Sequence, residues 1–295
     1  MNIAFLGLGA IGRPMAARIA AAHMPLAVWN RTSERAAEFA SQTGARQAVT
    51  PADAVRDADV VITCLSTSPD VYSLLDGPDG LLAGMKRGAT LVDCTSGDPS
   101  TSRRIAQRLS ESDVTFLDAP VSGGVSGAEK GALTIMVGGD ADVLDRVRPV
   151  LETFGQKIVH CGGVGAGDTV KAVNQAFLAI HLLAAAEGLA TLVKEGVDPT
   201  LALEVINASS GRSNSSMNLI PERVLTRAFP RTFRLALLEK DIGIAAAMAR
   251  EHRVPAPVTQ LTADVFRIAR GELGDIADHV EIVRMVEQWA GVEIV

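Results

Sequence analysis

The sequence contains few cysteines, and they show no pairing pattern. Only three of its 295 residues are cysteine, Cys64, Cys94 and Cys161, and no two of them are spaced as CxxC. An odd, scattered set of cysteines is typical of a reducing compartment and argues against a disulfide framework. Because Cys64 and Cys94 lie in apolar, strand-like runs, we interpret both as small core residues.

Excess basic charge is also lacking. The chain has 28 Lys and Arg residues against 34 Asp and Glu residues, which gives a formal net charge of −6. No run of basic residues forms a tail or a stripe, so the composition argues against a broad nucleic-acid-binding surface. Positive charge is therefore expected to act locally, at single residues near a bound ligand.

Signals for secretion or membrane insertion are not apparent in the sequence. The first five residues lack the charged region and the cleavage site of a signal peptide. The most apolar stretch, residues 176–193, is interrupted by His181 and Glu187 and falls short of the roughly 20 residues of a membrane span. We therefore expect a cytoplasmic protein in which this stretch forms a buried helix.

Metal-ligand spacings are absent as well. The five histidines show no pattern such as HExxH. We interpret His181, which lies in the long apolar stretch, as a satisfied core or interface group. The glycine-rich residues 162–167 do not form a phosphate loop, because Asp168 stands where such a loop needs lysine. The sequence therefore predicts no metal site.

The composition is that of an ordinary globular protein, and the length suggests two domains. Hydrophobic residues make up 47% of the chain and charged residues 21%, while a typical domain has roughly 100 to 200 residues. The predicted strands are 2–6, 26–29, 59–64, 90–93, 115–118, 133–137 and 157–160. The predicted helices are 11–22, 33–43, 68–75, 99–111, 141–154, 168–195, 199–207, 220–225, 235–251, 256–271 and 276–289.

The order of these elements predicts the fold class. Strands alternate with helices in the first half, which indicates βαβ units around a largely parallel sheet. Beyond the glycine-rich residues 162–167 almost no strand pattern remains. We therefore predict an α/β, Rossmann-type doubly wound domain over 1–162 that binds NADP. An all-helical domain for substrate binding and oligomerisation is predicted over 163–295, joined to the first by a long interdomain helix.

A GxGxxG motif follows the first predicted strand and opens the first predicted helix. Its residues are Gly7, Leu8, Gly9, Ala10, Ile11 and Gly12. The first glycine permits a tight turn, the second lets the backbone approach a pyrophosphate, and the third lets the helix pack close to the strand. The helix N-terminus adds N–H groups and a partial positive charge. This context predicts a dinucleotide site.

The end of the second predicted strand indicates which dinucleotide is preferred. NAD-preferring sites carry an acid about here for the ribose hydroxyls, whereas this chain has Asn30, Arg31 and Thr32, followed by Ser33. Because a guanidinium pairs well with a phosphate, we predict a preference for NADP, with NAD also possible. The alternative is that Arg31 stacks on the adenine and both cofactors are accepted.

Polar residues follow the next two long predicted strands. Leu65 and Ser66 come after one strand, and Thr95 and Ser96 come after the other. Ligands of open α/β sheets bind at such strand ends, so these residues are expected to line the nicotinamide ribose. The alternative for the serine side chains is helix capping, by Ser68 or by Ser96.

A serine between apolar and glycine residues marks a third candidate site. Ser122 is followed by Gly123 and Gly124 in the segment 118–128. Such a grouping exposes a hydroxyl and several backbone N–H groups together. This arrangement suits a carboxylate, and the alternative is an ordinary glycine-rich turn.

A cation and two amides share one face of the long predicted helix. Lys171 and Asn174 are three residues apart, and Lys171 and Gln175 are four apart. The rest of this helix is largely apolar, and burying such groups unpaired carries a large free-energy penalty. We therefore predict that this face lines a wet cleft.

Four motifs together resemble the β-hydroxyacid dehydrogenase family, which includes 3-hydroxyisobutyrate dehydrogenase, tartronate semialdehyde reductase and the glyoxylate/succinic semialdehyde reductases. They are GLGAIGRPMA, DAPVSGG, GAGDTVKAVNQ and LEKDIGIA. Four motifs in the right order are specific, and the resemblance covers essentially the whole chain. One departure is Ala10-Ile11, where many relatives carry a methionine before Gly12. This change is apolar and affects no catalytic position.

The resemblance implies hydride transfer between NADP(H) and a small β-hydroxyacid or semialdehyde, in a homodimer or homotetramer. Lys171 matches the catalytic lysine, which accepts the hydroxyl proton in oxidation and donates a proton in reduction. Lys240 matches a lysine that closes over the cofactor and the active site, and Asp241 matches the acid beside it. The family's substrate-binding positions match Ser122, Gly123, Gly124, Asn174 and Gln175.

Three other functions are considered. An imine-reductase-like enzyme is one, although those proteins generally lack a lysine at position 171. A decarboxylating 6-phosphogluconate dehydrogenase is another, but the chain is too short for the large helical domain of that family. A non-catalytic NADP sensor is the third. The joint presence of Ser122, Lys171, Asn174 and Lys240 argues against a catalytically inactive protein.

The identity of the substrate remains open at the level of the sequence. The segment 209–216 is unusually polar, and Arg212 within it is a candidate for binding a second anionic group. Phe233 is a candidate for shaping the pocket. A solvated loop is the alternative for this segment.

Overall fold

Short apolar runs form the strands of the first half of the chain, because β-branched and other apolar residues fit a sheet that is covered on both faces. The computed structural model describes residues 1–295. Its strands are β1 (Ile3–Leu6), β2 (Leu26–Trp29), β3 (Arg46–Gln47), β4 (Val60–Thr63), β5 (Thr90–Asp93), β6 (Thr115–Asp118), β7 (Val121–Ser122), β8 (Leu133–Gly138) and β9 (Gly155–Gly162).

Helices follow most strands and make up nearly all of the second half. They are α1 (Gly12–Ala21), α2 (Ser33–Thr43), α3 (Pro51–Val55), α4 (Ser68–Ser73), α5 (Leu81–Gly84), α6 (Pro99–Ser110), α7 (Gly124–Lys130), α8 (Ala141–Leu151), α9 (Ala166–Lys194), α10 (Pro199–Asn207), α11 (Leu235–Glu251), α12 (Pro257–Leu273) and α13 (Ile282–Ala290). A π-helix, Ser215–Val224, and a 3-10 helix, His279–Glu281, complete the set.

The strands form one sheet in the order β3-β2-β1-β4-β5-β6-β8-β7, with β9 beside β8. All neighbours are parallel except β8 with β6 and with β7. The strand order reverses between β1 and β4, and ligands of doubly wound sheets bind at such a switch point, beyond the carboxyl ends of the strands. The predicted doubly wound, largely parallel sheet is therefore confirmed.

Successive residues of each strand point to opposite faces of the sheet and feed two cores. In β1, Ile3 and Phe5 join a core that also contains Met15 of α1 and Phe39 of α2. Ala4 and Leu6 join the core on the other face, with residues of α3 to α6. This two-sided burial explains why the strands are apolar throughout instead of alternating.

The chain divides into two compact units, Met1–Lys171 and Ala172–Val295. The division falls within α9, which is continuous. The second unit is all helical, as predicted, and has its own core, in which Leu182 and Leu189 of α9 are buried with Phe266 of α12. The predicted boundary at 162/163, with its assignment of cofactor and substrate roles, stays a prediction.

The prediction that residues 176–193 form a buried helix is only partly right. This stretch lies within α9, but His181 is exposed, so it is not a core group of this chain, and its interpretation as an interface group stays a prediction. The exposed Phe177 stacks on His181 with ring centroids 6.1 Å apart. By length and composition α9 could cross a membrane, with a mean hydropathy of 1.9. Core helices of soluble proteins satisfy the same criterion.

Several short elements were not predicted. They are β3, β7, α3, α5 and α7, of two to seven residues each, which are too short to show a hydrophobic period. The predicted helix 220–225 is instead part of the π-helix Ser215–Val224. This helix contains Pro221 and starts at a turn where Ser213 and Ser216 hydrogen bond to each other's backbone. Its polar start obscured the helical pattern.

Candidate active site

The glycine-rich loop has the geometry that a dinucleotide needs. Gly7 adopts φ +106°, a conformation that side chains rarely allow, and a Cβ on Gly12 would lie 2.0 Å from the carbonyl oxygen of Gly7. A Cβ on Gly9 would meet nothing within 4 Å, so the loop is open to solvent there. Ile11, the N-cap of α1, makes no side-chain capping bond. The helix N-terminus is therefore suited to a pyrophosphate.

Asn30 at the end of β2 organises this loop. Its Oδ1 accepts a hydrogen bond from the backbone N–H of Leu8 at 2.9 Å, and its Nδ2 donates to the carbonyl oxygen of Thr32 at 2.9 Å. Arg31 and Thr32 are exposed beside it, and Thr32, the N-cap of α2, makes no side-chain capping bond. An anion at this position would meet a guanidinium and an uncapped helix N-terminus.

A buried polar network fixes the carboxyl ends of β4 and β5. The hydroxyl of Thr95 accepts from the N–H of Leu65 at 3.0 Å. Oδ1 of Asp93 accepts from the N–H of Thr95 at 3.0 Å and from the hydroxyl of Thr63 at 2.8 Å. Burial raises the pKa of Asp93 to about 6, against the lowering effect of these hydrogen bonds. Sequence reasoning missed Asp93 and Thr63, although a polar residue ending an apolar strand was a usable signal.

The capping alternative for the serines near these strand ends is wrong. Thr67 caps α4 by accepting from the N–H of Asp70, and Asp98 caps α6 by accepting from the N–H of Thr101. Ser68 instead accepts from the N–H of Asp98 at 2.7 Å, which ties the loop after β5 to the start of α4.

The loop at Ser122 is an outward-facing turn between a short strand and a short helix. Ser122 ends β7, which pairs antiparallel with β8, and it is partly exposed. Gly123 and Gly124 adopt φ +135° and +65° and lead into α7. These left-handed conformations require glycine. The turn therefore presents a hydroxyl and backbone N–H groups beside each other.

The start of α9 is anchored to the sheet by Asp118, the last residue of β6. Its carboxylate accepts from the N–H of Gly165 at 2.7 Å and of Asp168 at 3.0 Å. Gly167 lies so close to β8 that a Cβ there would be 2.2 Å from the carbonyl oxygen of Met136. The glycines of this segment thus allow the helix to begin against the sheet. Lys171, one turn further, is buried, with 8% of its surface exposed.

In the second unit, three of the predicted residues are connected through Asp241. Nε2 of Gln175 donates to Oδ2 of Asp241 at 3.1 Å, and Nζ of Lys240 lies 3.0 Å from its Oδ1. Nδ2 of Asn174 donates to Oε1 of Gln175 at 3.2 Å. Of this chain of side chains, Gln175 and Asp241 are buried, whereas Asn174 is exposed. The exposed amide of Asn174 is therefore held in place by hydrogen bonds that lead to buried side chains.

The cysteines near the strand ends are not poised as nucleophiles. Cys94 is buried in a core of the first unit and Cys64 packs against the same core. Burial, reinforced by the nearby Asp93, raises the pKa of the Cys64 thiol to about 12. Burial also raises the pKa of Cys94 well above its ordinary value. Since the thiolate is the reactive form, both fit their interpretation as core residues.

Comparison with known protein families gives a match to each half of the chain. Residues 2–163 match the family described as the NAD binding domain of 6-phosphogluconate dehydrogenase. Residues 165–286 match the family described as NAD-binding of NADP-dependent 3-hydroxyisobutyrate dehydrogenase. Together these matches cover the glycine-rich loop, the Ser122 turn and the helix that carries Lys171.

Individual proteins match over almost the whole chain. The chain is 33% identical to 2-(hydroxymethyl)glutarate dehydrogenase of Eubacterium barkeri over 294 residues, covering 100% of this chain and 97% of that protein. It is 38% identical to 3-hydroxyisobutyrate dehydrogenase of Pseudomonas aeruginosa, covering 90% and 91%. The solved structure of Mycobacterium tuberculosis 3-hydroxyisobutyrate dehydrogenase with L-serine superposes with a TM-score of 0.89 at 30% identity, covering 97% and 98%.

Proposed function

Because this chain belongs to the β-hydroxyacid dehydrogenase family, of which 3-hydroxyisobutyrate dehydrogenase is a member, we propose that Lys171 is its acid/base catalyst. The protein is a nicotinamide-dependent oxidoreductase of small hydroxyacids. The placement of Lys171 carries the proposal: this nearly buried lysine lies one turn into a helix that Asp118 anchors to the sheet. A lysine held in this way has the restricted position that proton transfer needs.

The chemistry divides between the cofactor and the side chains. When bound, the nicotinamide accepts or supplies the hydride. In oxidation, Nζ of Lys171 takes the proton of the substrate hydroxyl. In reduction, the same atom returns a proton to the oxygen and stabilises the negative charge that develops there.

The substrate carboxylate is proposed to bind at the Ser122 turn. The hydroxyl of Ser122 and the backbone N–H groups of Gly123 and Gly124 are donors, and the turn holds them in left-handed conformations. Donors that are ordered before the substrate arrives bind an anion without a further ordering penalty. Asn174 is proposed as the amide that contacts substrate, whereas Gln175 and Asp241 hold it in place.

The cofactor is proposed to be NADP in preference to NAD. The glycine-rich loop, Leu65 and Ser66 after β4, and Thr95 and Ser96 after β5 are the proposed binding segments. Lys240 is a further proposed cofactor-binding residue. The 2′-phosphate would bind Arg31 and the uncapped N-terminus of α2 at Thr32.

We expect Arg31→Ala to raise the Kd of NADPH about tenfold or more and to leave that of NADH nearly unchanged. Equal losses for both cofactors would favour stacking of Arg31 on the adenine.

The substrate class is tested with a panel. Hydroxyacid oxidation is measured with 3-hydroxyisobutyrate, L-serine and 2-(hydroxymethyl)glutarate, and reduction with tartronate semialdehyde and succinic semialdehyde, using NADP(H) and NAD(H). Wild type and Lys171→Ala are compared. We expect turnover of at least one compound, stronger with NADP(H), and a loss of at least 10²-fold in kcat in the variant.

Each outcome of the panel has a meaning. Wild-type turnover in Lys171→Ala would show that Lys171 is not the acid/base catalyst. Tight NADPH binding with no turnover of any compound would favour the non-catalytic sensor. Preference for 2-(hydroxymethyl)glutarate, which carries two carboxylates, would support binding of the second carboxylate by the exposed Arg212. In that case we expect Arg212→Ala to raise KM without changing kcat.

We also propose a cytoplasmic homodimer or homotetramer. Scattered free cysteines support a reducing compartment. Large exposed apolar residues in the second unit support self-association. They include Phe177 on α9, Val205 on α10 and Leu261 on α12.

A further inference from the structure

Asp168 is a buried carboxyl that the proposed reaction leaves without a role. It precedes Lys171 by three residues on α9, and only 1% of its surface is exposed. Its Oδ1 accepts from the backbone N–H of Gly97 at 3.0 Å, and its Oδ2 accepts from the hydroxyl of Ser102 at 2.6 Å. These partners are 71 and 66 residues away along the chain, so both bonds are tertiary.

Capping of its own helix does not account for this carboxyl. The N-terminus of α9 is already capped by Asp118, which accepts from the N–H groups of Gly165 and Asp168. The Asp168 side chain instead reaches sideways to the loop after β5 and to the first turn of α6. Burial, reinforced by the neighbouring Asp118 carboxyl, raises the pKa of Asp168 to about 8. Burying a carboxyl here is therefore unfavourable for its ionised form, and packing alone would be served better by an apolar side chain.

The loop that Asp168 holds is the one proposed to line the nicotinamide ribose. Gly97 directly follows Ser96, and a Cβ on Gly97 would lie 3.0 Å from Oδ2 of Asp168 and 2.6 Å from Oγ of Ser68. Ser68 in turn accepts from the N–H of Asp98. The loop is thus held from two sides, by Ser68 of α4 and by Asp168 of α9, with no room for a side chain at position 97.

From these contacts we infer that Asp168 is a positioning residue of the dehydrogenase: its two hydrogen bonds lock the loop at Ser96 and Gly97 to the first turn of α9. The lock sets the position of Lys171 relative to the cofactor-binding loop. This inference rests on the proposed roles of Lys171 and Ser96. A shift of about 1 Å in a reacting group can reduce turnover about 10²-fold, so a rigid link between these two elements matters to the chemical step.

Two substitutions separate the hydrogen bonds from the charge. Asp168→Ala removes both bonds. Asp168→Asn keeps an acceptor for Gly97 and supplies an N–H for Ser102, but carries no charge. Asp140→Ala is the matched control, because the Asp140 carboxylate likewise accepts two hydrogen bonds, here both from backbone N–H groups at 2.9 and 3.0 Å, but lies at the exposed start of α8.

We expect Asp168→Ala to lower kcat about 10²-fold with the best substrate of the panel, and to change the Kd of NADPH less than threefold. Asp168→Asn should stay within threefold of wild type in both, and Asp140→Ala should not change either. A wild-type kcat in Asp168→Ala would overturn the inference. Equal losses in the alanine and asparagine variants would also overturn it, because they would assign the effect to charge.

A second measurement does not depend on turnover. Lysines are reductively methylated with ¹³C-formaldehyde, and the resonance of Lys171 is assigned by its loss in Lys171→Arg. It should shift in Asp168→Ala and remain in place in Asp168→Asn and Asp140→Ala. If the Lys171 resonance shifts in Asp168→Ala but the wild type turns over no panel compound, the proposed function is contradicted and the positioning role is retained. An unmoved resonance would contradict the positioning role itself.

Should Asp168→Ala fail to fold, Ser102→Ala removes one of the two bonds from the other side. We then expect a loss in kcat of about three- to tenfold, with unchanged NADPH affinity and the same displaced Lys171 resonance. A wild-type kcat together with an unmoved resonance in this variant would overturn the inference.

Discussion

Two glycines of the nucleotide loop differ at the scale of single atoms. A Cβ at Gly12 would lie 2.0 Å from a backbone oxygen, whereas a Cβ at Gly9 would meet no protein atom within 4 Å. The fold therefore requires glycine at position 12. At position 9 the fold would accept a side chain, and glycine is needed only for a ligand such as the pyrophosphate to approach the loop. The motif alone does not separate these two reasons.

This difference predicts opposite outcomes for the two alanine variants. Gly12→Ala should lower the free energy of unfolding by about 1 to 3 kcal/mol, because the backbone must shift to admit the methyl group. Gly9→Ala should unfold like wild type in urea but raise the Kd of NADPH at least tenfold, because its methyl group occupies the path of the pyrophosphate. Wild-type NADPH affinity in Gly9→Ala would place the pyrophosphate elsewhere.

At the scale of elements, one buried carboxylate makes several of the hydrogen bonds that hold the segment before α11. Asp278 accepts from the N–H groups of Thr232, Phe233 and Val280 at 2.7, 2.8 and 3.1 Å. Burial would raise the pKa of Asp278, but the bond to His279 and these N–H groups outweigh it and lower the pKa well below its ordinary value. The segment it fixes contains Phe233 and leads into the helix that carries Lys240.

We predict that Asp278→Asn lowers the free energy of unfolding at pH 7 by about 3 kcal/mol, measured by urea denaturation. Because the native pKa lies below the unfolded one, the carboxylate stabilises the fold above the ordinary Asp pKa. That stabilisation is lost as the pH falls through the native value. Wild type should therefore lose more stability than the variant between pH 5 and pH 3.

The control for this prediction is Asp275→Asn. Asp275 forms an exposed ion pair with Arg270 at 2.7 Å, and solvent screening makes such exposed pairs weak contributors to stability. A loss in Asp278→Asn no larger than that of the control would mean that the segment is held by other contacts.

At the scale of the whole molecule, exposed apolar residues of the second unit predict self-association. Val258, Leu261 and Ile268 are exposed on α12 at spacings of three and seven residues, which place them on one face. Leu261 is 65% exposed. We expect size-exclusion chromatography with light scattering to show a dimer or tetramer for wild type and a smaller species for Leu261→Glu.

Val49→Glu serves as the control for this substitution. Val49 is 85% exposed and lies in the first unit, between β3 and α3. The same change of charge there should leave the assembly unchanged. A monomeric wild type, or equal dissociation by both variants, would contradict an interface on α12.

Local patterns in the chain are sufficient to predict the fold class, the order of the long elements and the family. Strand and helix periods are local properties of the chain, so β2, β5, β6, α2, α10 and α11 were predicted with their observed bounds. The glycine-rich loop and Lys171 were recognisable because their motifs are contiguous. The proposed site residues remain predictions that rest on those motifs.

The contacts that connect these motifs could not be predicted from local patterns and are seen in the folded chain. Asp93, Asp118 and Asp168 lie far apart in the sequence, and their polar contacts depend on strand ends that meet at one edge of the sheet. The exposure of Phe177 and His181 could not be predicted from the sequence either, because an apolar helix has the same residue pattern whether or not its outer face is covered. The π-helix after residue 214 depends on hydrogen bonds between turns, and no residue spacing encodes those. Local patterns therefore specified the elements, and the contacts between distant segments specified how Lys171, the proposed catalytic lysine, is held.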